Sequence, residues 1–493
     1  MALTLETVKA LRSDALGFFR FKKLDQDTYL LTNETGAWTF LTAAEFAPFL
    51  SGKVPAGKEE ELLEKGFVKS AKHDALAPAE YARKNLFLAQ GPTLHIVVTT
   101  LRCNHKCQYC HAAVAPMTAT GLDMTTQTAE KVLDTIFHTS ARDLTIEFQG
   151  GESLVNWPVV RWIVEGGAKR AAALGKKVRF ALVTNLSLMD DEKLAYLLDN
   201  GVQICTSLDG DEETHNWNRT YREGNSYEKV AFWIRKIHEE YRRRGSDVKI
   251  GALMTTTKKS LGRWKEIVDA YVALGLDGIF LRPMNPYGFA AADVKALGYS
   301  HGEFEEFYAK AFDYILQLNR SGTKFVEYTA TMYLKKILTP DDPNFLDERS
   351  PCGACVGQVA YNYDGNVYSC DEGRMFGRMG IQDFLATPML ATGRETYEAL
   401  IKSDTAKVMV QASTLDGLPG FNDDVYKPYI GVCPIHSYKQ TGNIYPNYAK
   451  DDRRKTGAFI LDRLFRGLKG GDAPVFHAWA DAPYRVPAAD CPT

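Results

Sequence analysis

Three closely spaced cysteines constrain this chain more than any other feature of its sequence. Cys103, Cys107 and Cys110 are separated by three and then two residues, and Tyr109 directly precedes the last of them. They follow the apolar, β-branched run at 94–99, which has the composition of a buried strand. A tight loop leaving the end of a strand can turn three thiolates toward one point. The motif therefore predicts a metal site that is one ligand short of a closed tetrahedron.

Two kinds of metal site are compatible with this spacing. An open corner is what a [4Fe–4S] cluster needs if a small molecule is to chelate its fourth iron. A zinc ion would instead take the three thiolates and one imidazole, from His105 or His111. The Cys-x3-Cys-x2-Cys pattern resembles the cluster motif of the radical S-adenosylmethionine (SAM) enzymes.

The composition describes a globular protein with more than one domain. The chain has 493 residues, of which 45% are hydrophobic and 24% charged, with a net charge of −2. This charge gives no electrostatic attraction to nucleic acid or an anionic membrane. No apolar run approaches the ~20 residues of a membrane span, and the N-terminus lacks the pattern of a signal peptide. We therefore expect a cytoplasmic protein without nucleic-acid or membrane partners.

The cysteine content also points to metal binding. In a reducing compartment, nine cysteines are more naturally metal ligands than disulfide partners. Two of the nine lie outside motif-like settings. Cys205 is inside an apolar strand and is predicted to be a core residue, and Cys491 is predicted to be a free thiol near the end of the chain.

Strands and amphipathic helices alternate along the middle of the chain, which predicts an α/β fold with a parallel sheet covered by helices. Six such repeats are too few for a closed eight-stranded barrel but suit a partial (β/α)6, TIM-like barrel. In these sheets, function gathers at the carboxyl ends of the strands. The predicted strands are 94–99, 144–148, 178–183, 202–207, 248–254 and 278–282, and the predicted helices are 126–138, 157–174, 191–199, 226–243 and 263–274.

Other strand ends carry residues suited to binding SAM. Paired glycines let backbone approach a ligand closely, a carboxylate accepts bonds from an ammonium group, and hydroxyl and guanidinium groups suit a ribose and a carboxylate. In chain order these residues are Gly150, Gly151, Glu152, Asn185, Ser207, Arg219, Arg222 and Arg282. Leu186 departs from the Thr-Asn-Gly that the radical SAM enzymes usually show after the third strand.

The resemblance implies a role for each position. Cys103, Cys107 and Cys110 would bind three irons, and Gly150–Glu152 would hold the SAM amino group. Ser207 and one of the two arginines, Arg219 or Arg222, would hold ribose or carboxylate. Tyr109 would lie over the adenine, which the segment around Arg282 would flank.

A second group of cysteines follows the barrel repeats. Asp364-Gly365 predicts a hairpin that returns Cys370 beside Cys352 and Cys355, and Cys433 is the one other cysteine in this region. Four thiolates suit Zn²⁺ or a closed [4Fe–4S] cluster equally well.

The flanking residues of this group resemble the SPASM extension of radical SAM peptide maturases. The later Cys-x2-Cys-x5-Cys run of that extension is absent from the sequence, so the resemblance implies a shortened, twitch-like version with one auxiliary [4Fe–4S] cluster. Asp371 matches the place of a general base in the related sulfatase-maturing enzymes.

We thus predict a winged-helix-like precursor-peptide recognition domain at 1–88, with a linker around Ala75–Glu80. The radical SAM partial barrel follows at 89–340, a SPASM/twitch-like iron–sulfur domain at 341–450, and a C-terminal tail at 451–493. A small structural cap with no ligand is the alternative for the first domain. As a whole the sequence most resembles the radical SAM maturases of His-Xaa-Ser peptide systems.

The resemblance implies an oxidoreductase that modifies a ribosomally made precursor peptide. A 5′-deoxyadenosyl radical from SAM would abstract hydrogen from a side chain, and an intramolecular cross-link would form. Its partners would be the peptide, of the His-Xaa-Ser repeat type, an external one-electron reductant, and a second maturase. The alternatives are radical oxidation of a Ser or Cys side chain in a protein, and a non-catalytic zinc-binding adaptor.

Overall fold

The computed structural model describes residues 14–343 and 345–482. Its first part is a small unit with its own apolar core, which includes Phe46, Phe49 and Phe67. Three antiparallel strands are paired in the order β1-β2-β3 and are followed by helices. Their bounds are β1 (Arg20–Lys23), β2 (Thr28–Thr32), β3 (Trp38–Thr42), α1 (Ala43–Leu50) and α2 (Glu59–Glu64).

Local sequence explains how this unit begins and ends its helices. The Thr42 side chain accepts from the Glu45 N–H while the Glu45 carboxylate accepts from the Thr42 N–H, so the two residues form a capping box. Gly66 follows α2 with a φ of +73°, a conformation that favours glycine. The unit packs against the rest of the chain through Trp38, whose indole N–H donates to the Ile337 carbonyl at 2.9 Å.

The predicted linker is a helix. Residues Ala71–Lys84 form α3, which begins at Ser70, whose hydroxyl accepts from the His73 N–H. The Ala-rich composition favours a helix, and Pro78 is accommodated inside it. No residue of α3 is buried, so this helix is a solvent-exposed connection between the first unit and the barrel.

The middle and last parts of the described chain alternate strands with helices. The strands are β4 (Leu94–Thr100), β5 (His105–Cys107), β6 (Asp143–Gly150), β7 (Lys177–Thr184), β8 (Val202–Ser207), β9 (Arg219–Tyr221), β10 (Gly251–Leu253), β11 (Gly278–Ile279), β12 (Val326–Glu327), β13 (Gln358–Tyr361), β14 (Val367–Tyr368) and β15 (Leu385–Thr387). The helices are α4 (Thr126–Phe137), α5 (Trp157–Leu174), α6 (Asp191–Asp199), α7 (Glu212–Asn218), α8 (Ser226–Arg243), α9 (Trp264–Ala273), α10 (Gly288–Ala292), α11 (Val294–Leu297), α12 (His301–Arg320), α13 (Tyr328–Leu338), α14 (Asp371–Arg378), α15 (Gly393–Lys402), α16 (Asp404–Ser413), α17 (Pro434–Thr441), α18 (Asp452–Lys469) and α19 (Ala473–Asp481).

An eight-stranded mixed sheet forms the centre, in the order β10-β8-β7-β6-β4-β13-β14-β15. Neighbours from β10 to β13 are parallel, so the carboxyl ends of the barrel strands lie at one edge. Amphipathic helices cover the sheet; α8, for example, buries Val230, Ile234 and Ile237, which recur at the four- and three-residue spacing of one helix face. The predicted α/β class is confirmed.

One part of the predicted barrel differs from the structure. The sixth predicted strand, 278–282, is reduced to β11, which pairs with β12 in a separate two-stranded sheet. It remains beside the main sheet because the Thr256 N–H donates to the Arg282 carbonyl at 2.9 Å. Five of the six predicted strands therefore share the main sheet.

The predicted hairpin is present but does not form a separate sheet. β13 and β14 pair antiparallel across a turn at Gly365, whose φ is +88°. β13 also pairs parallel with β4, from Gln358 opposite Leu94 to Tyr361 opposite Val97. The region that carries the second cysteine group is thus joined directly to β4, the strand that precedes the first cysteine group.

The segment predicted as a C-terminal tail contains two packed helices in its described part. In α19, Trp479 is buried and its indole N–H donates to Asn319 Oδ1 at 3.1 Å. The Lys335 ammonium group on α13 donates to the Ala480 carbonyl at 2.7 Å. Cys491 lies outside the described residues.

A membrane-spanning helix is not found in the described part of the chain, because none of its helices is both long enough and apolar enough.

Candidate functional site

The loop that carries the first three cysteines is held at the end of β4 by backbone hydrogen bonds. The Cys103 N–H donates to the Ala115 carbonyl at 2.9 Å, and β5 pairs antiparallel with β9, which places Cys107 opposite Arg219. Cys103, Cys107 and Cys110 are all half-buried and unpaired. The local fold therefore brings the three predicted thiol ligands to one wall of a single cavity.

This cavity lies at the carboxyl ends of the barrel strands and has a volume of about 1040 Å³, including its opening to solvent. It is large enough for a small-molecule cofactor. The sequence-predicted residues that line it are Cys103, Cys107, Tyr109, Cys110, Gly150, Gly151, Glu152, Asn185, Ser207, Arg219, Arg282 and Asp371. Arg222 does not line the cavity; it is exposed, because it follows β9 on the outer side of the loop.

The Gly150–Gly151 pair packs directly against the cysteine loop. The Gly151 and Glu152 N–H groups donate to the carbonyls of Thr100 and Arg102, each at 2.9 Å. A Cβ at Gly151 would lie 2.2 Å from the Arg102 carbonyl oxygen, so a side chain there would push the two segments apart. Close backbone packing is thus why glycine is required at this position.

Glu152 connects the ends of β6 and β7 at the wall of the cavity. It is 1% exposed, and its carboxylate accepts from the Leu154 N–H at 3.0 Å, the Thr184 hydroxyl at 2.7 Å and the Asn185 N–H at 2.8 Å. Burial raises the pKa of Glu152, and these three donors oppose that shift. A carboxylate has about four acceptor positions, so one remains for a bound cation.

Asp209 joins the aromatic and cationic residues of the site. The Tyr109 hydroxyl donates to it at 2.8 Å, and the Arg219 guanidinium pairs with it at 2.9 Å. The Arg219 guanidinium carbon also lies 5.3 Å from the centre of the Tyr109 ring. Asp209 was not among the predicted site residues. Its position, two residues after Ser207 at the end of a strand, could have indicated that it belongs to the site.

Burial also raises the pKa values of the three thiols. It raises the pKa of Cys103, raises that of Cys107 to about 12, and raises that of Cys110. A bound metal would deprotonate such thiols, since a metal-coordinated sulfur is a thiolate. The His105 N–H points at Cys103 Sγ at 3.4 Å, which suits a thiolate ligand.

Of the two histidines considered for a zinc site, His105 is already engaged by other residues. Both ring nitrogens of His105 have partners, Asn104 Oδ1 at 3.3 Å and the Ser226 hydroxyl at 2.9 Å. Burial lowers the pKa of His111, which also lines the cavity, to about 4. Among residues 14–343 and 345–482, no three His, Cys, Asp or Glu side chains are grouped so as to hold a single metal ion.

The second group of cysteines is buried beside α14 and α17. Cys370 and Cys433 cap these two helices, and their sulfurs accept from the N–H groups of Gly373 and His436, each at 3.4 Å. Cys352 packs in the same buried cluster. Cys355, with a φ of +61°, donates its N–H to the Ser369 carbonyl at 2.9 Å. Three of the four thiols thus share one buried cluster, and N–H groups are directed at two of the sulfurs, which fits the ligation of an iron–sulfur cluster.

Helix α14 connects the two cysteine groups. It begins directly after Cys370, and its residues Asp371, Glu372, Arg374 and Met375 form part of the wall of the cavity that the first three cysteines line. The Asp371 carboxylate accepts from Arg374 Nε at 2.8 Å. The predicted general base thus shares one cavity with the predicted SAM-binding residues.

Comparisons with known proteins identify this domain. Residues 97–269 match the model of the Radical SAM superfamily, so the chain contains a radical SAM domain. An uncharacterized protein of Archaeoglobus fulgidus is 22% identical over 70% of this chain and 75% of its own length. The radical SAM cyclopropyl synthase TigE of Paramaledivibacter caminithermalis is 24% identical over 32% of this chain and 36% of its own length.

Solved structures show the same fold at low sequence identity. The chain matches native anSMEcpe with bound AdoMet with a TM-score of 0.61 at 16% identity, covering 78% of this chain and 99% of that one. It also matches Streptococcus suis SuiB bound to the precursor peptide SuiA, with a TM-score of 0.51 at 14% identity, covering 87% and 96%. Over most of its length the chain therefore shares the fold of these two structures.

Proposed function

We propose that this protein uses SAM and radical chemistry to modify a ribosomally made precursor peptide. The observation that carries the proposal is the shared cavity: Cys103, Cys107 and Cys110 line one part of its wall, and α14, which begins after Cys370, lines another. The matched structures include SuiB bound to its precursor peptide and anSMEcpe bound to AdoMet and a peptide, which supports a peptide substrate.

The residues of the cavity divide into groups with different tasks. When bound, a [4Fe–4S] cluster on the three thiolates supplies the electron that cleaves SAM to a 5′-deoxyadenosyl radical. Glu152 and the Gly150–Gly151 backbone would bind the amino group, while Ser207 and Arg219 would hold the ribose and carboxylate. Of the two arginines suggested by the sequence, Arg219 is the one that lines the cavity.

The cavity continues beyond the space that one cofactor needs. A neighbouring cavity of about 720 Å³ shares Arg282 and Asn285 with the first, and it is lined by apolar residues such as Met332 and Phe345 together with Asp347 and Arg453. Apolar walls with a few charged groups are typical of sites that bind organic ligands. This second cavity would take the residues that flank the reacting side chain of the peptide.

Asp371 and the second cysteine group would complete the reaction. Asp371 is 4% exposed and lies on the cavity wall, where its carboxylate would accept a proton from the substrate. Cys352, Cys355, Cys370 and Cys433 would hold an auxiliary [4Fe–4S] cluster that receives one electron. The product would be an intramolecular cross-link, and the N-terminal unit would bind the precursor, which we propose is of the His-Xaa-Ser repeat type.

Product mass after anaerobic reaction with SAM, reductant and a candidate precursor peptide tests the proposal. A cross-link removes two hydrogens and introduces no aldehyde group. The peptide should therefore become about 2 Da lighter and should not react with an aldehyde reagent. An aldehyde product would favour the alternative of Ser or Cys side-chain oxidation. Purified protein that contains zinc but no iron or sulfide would favour the adaptor and contradict the proposal.

A further inference from the structure

Arg374, which is one of the residues lining the cavity, has two guanidinium nitrogens without hydrogen-bond partners. The residue is 2% exposed, and its Nε donates to Asp371 Oδ1 at 2.8 Å. Its Nη1 and Nη2 atoms are buried and have no hydrogen-bond partner. A buried guanidinium that is only partly paired is costly, and it is usually completed by an anionic group.

The charged groups around Arg374 do not satisfy these two nitrogens. Asp371 already accepts from Nε, and Glu372 has Arg453 as its nearest cation, at 3.9 Å. The described residues therefore leave the two remaining Arg374 donors without an acceptor, beside a cavity in which a ligand could supply one.

We infer that Arg374 binds a carboxylate of the peptide substrate, an inference that rests on the proposed function. A carboxylate matches a guanidinium edge with two parallel hydrogen bonds. Arg374 lies one helical turn after Asp371 on α14, so a carboxylate held there would place a neighbouring part of the peptide beside Asp371. The substrate would carry an acidic side chain, or its C-terminal carboxylate, close to the modified residue.

Three short peptides test this preference on the cluster-loaded, SAM-bound protein. The first is acetyl-Ala-Gly-Glu-Gly-Ala-amide, the second replaces Glu with Gln, and the third is the Gln peptide with a free C-terminus. Binding is measured by anaerobic equilibrium dialysis with mass-spectrometric quantification. We expect one of the two carboxylate peptides to bind about 10- to 100-fold more tightly than the amidated Gln peptide, as a charge-assisted bond to a buried guanidinium implies.

Two variants on the same helix identify the residue responsible. Arg374→Gln should remove the preference, and Arg378→Gln, which changes an exposed arginine of α14, should keep it. Arg374→Lys retains the charge without the two-pronged geometry, so it should show an intermediate preference, and it supplies the result if Arg374→Gln does not fold. Equal binding of all three peptides to the parent protein, or a preference that survives in Arg374→Gln, would overturn the inference.

The carboxylate of SAM itself is the competing ligand. Affinities for SAM and for decarboxylated SAM are therefore compared in the parent and in Arg374→Gln. If the parent prefers SAM and Arg374→Gln loses that preference, Arg374 holds the cofactor and the inference is wrong. Formation of 5′-deoxyadenosine from SAM without peptide is measured in parallel: its absence from the parent protein contradicts the proposed function, whereas its presence without peptide selectivity contradicts the carboxylate site alone.

Discussion

Replacement of Glu152 by glutamine separates two roles that the structure gives this carboxylate. Three donors already bind it: the Leu154 N–H, the Thr184 hydroxyl and the Asn185 N–H. Glutamine keeps the shape but presents an NH₂ group to one of these donors. One buried donor is then left without an acceptor, which costs about 1–3 kcal/mol of unfolding free energy.

The same substitution should weaken SAM binding by more than this structural effect explains. The remaining acceptor position of Glu152 is the one proposed to bind the SAM ammonium group, and a hydrogen bond to a charged group contributes about 1.5–3 kcal/mol. The dissociation constant for SAM should therefore rise roughly 10- to 150-fold. Isothermal titration calorimetry on the cluster-loaded protein measures this constant, and thermal unfolding measures the structural part.

Thr184→Val is the matched control, because it removes one of the donors to Glu152 but leaves the carboxylate in place. It should lower the unfolding temperature while changing the SAM dissociation constant less than about threefold. If Glu152→Gln lowers stability but binds SAM as the parent does, Glu152 only connects strand ends, and its assignment to the amino group is wrong.

Two further substitutions test the packing of the cysteine loop and of the sheet. Gly151→Ala should raise the SAM dissociation constant about 10-fold or more, because its Cβ would lie 2.2 Å from the Arg102 carbonyl oxygen. Gly262→Ala is the control: a Cβ has open space there, so the dissociation constant should not change. Equal affinities of these two variants would contradict the packing argument. His95 is fully buried, and burial lowers its pKa to about 3 from 6.5. The folded state therefore favours the neutral ring, so the stability that His95 contributes above pH 6.5 is lost as the pH falls toward 3. His95→Phe should therefore lose about 2 kcal/mol less unfolding free energy than the parent between pH 6.5 and 5. If the unfolding free energy of His95→Phe falls between pH 6.5 and 5 as much as that of the parent, the assignment is refuted.

Local sequence patterns predicted the helices and the turns well. Periodic apolar residues located α5, α6 and α8 at their observed bounds, because one buried helix face leaves a regular signal in the sequence. The capping box at Thr42 and the glycine turn at Gly365 also depend on neighbouring residues only. The prediction of a linker around Pro78 was wrong because it relied on the proline alone. The Ser70 cap and the alanines are also local signals, and they favour the helix that is observed.

Contacts between distant segments were not predictable in this way. The pairing of β13 with β4 joins residues more than two hundred positions apart, and parallel pairing leaves no local periodicity. The contacts of Asp209 with Tyr109 and Arg219 are visible only in the structure. The partly paired guanidinium of Arg374 likewise exists only because α14 folds over the cavity.

Reductive cleavage of SAM by the anaerobically purified protein tests the central claim most directly. The parent protein should contain about eight irons and should form 5′-deoxyadenosine when a strong reductant is added, while a Cys103/Cys107/Cys110→Ala variant should retain about four irons and form none. This result would establish a SAM-cleaving cluster on the first three cysteines and a separate cluster on the second group. Parent protein that contains iron but forms no 5′-deoxyadenosine, or a triple variant that still forms it, would contradict the account.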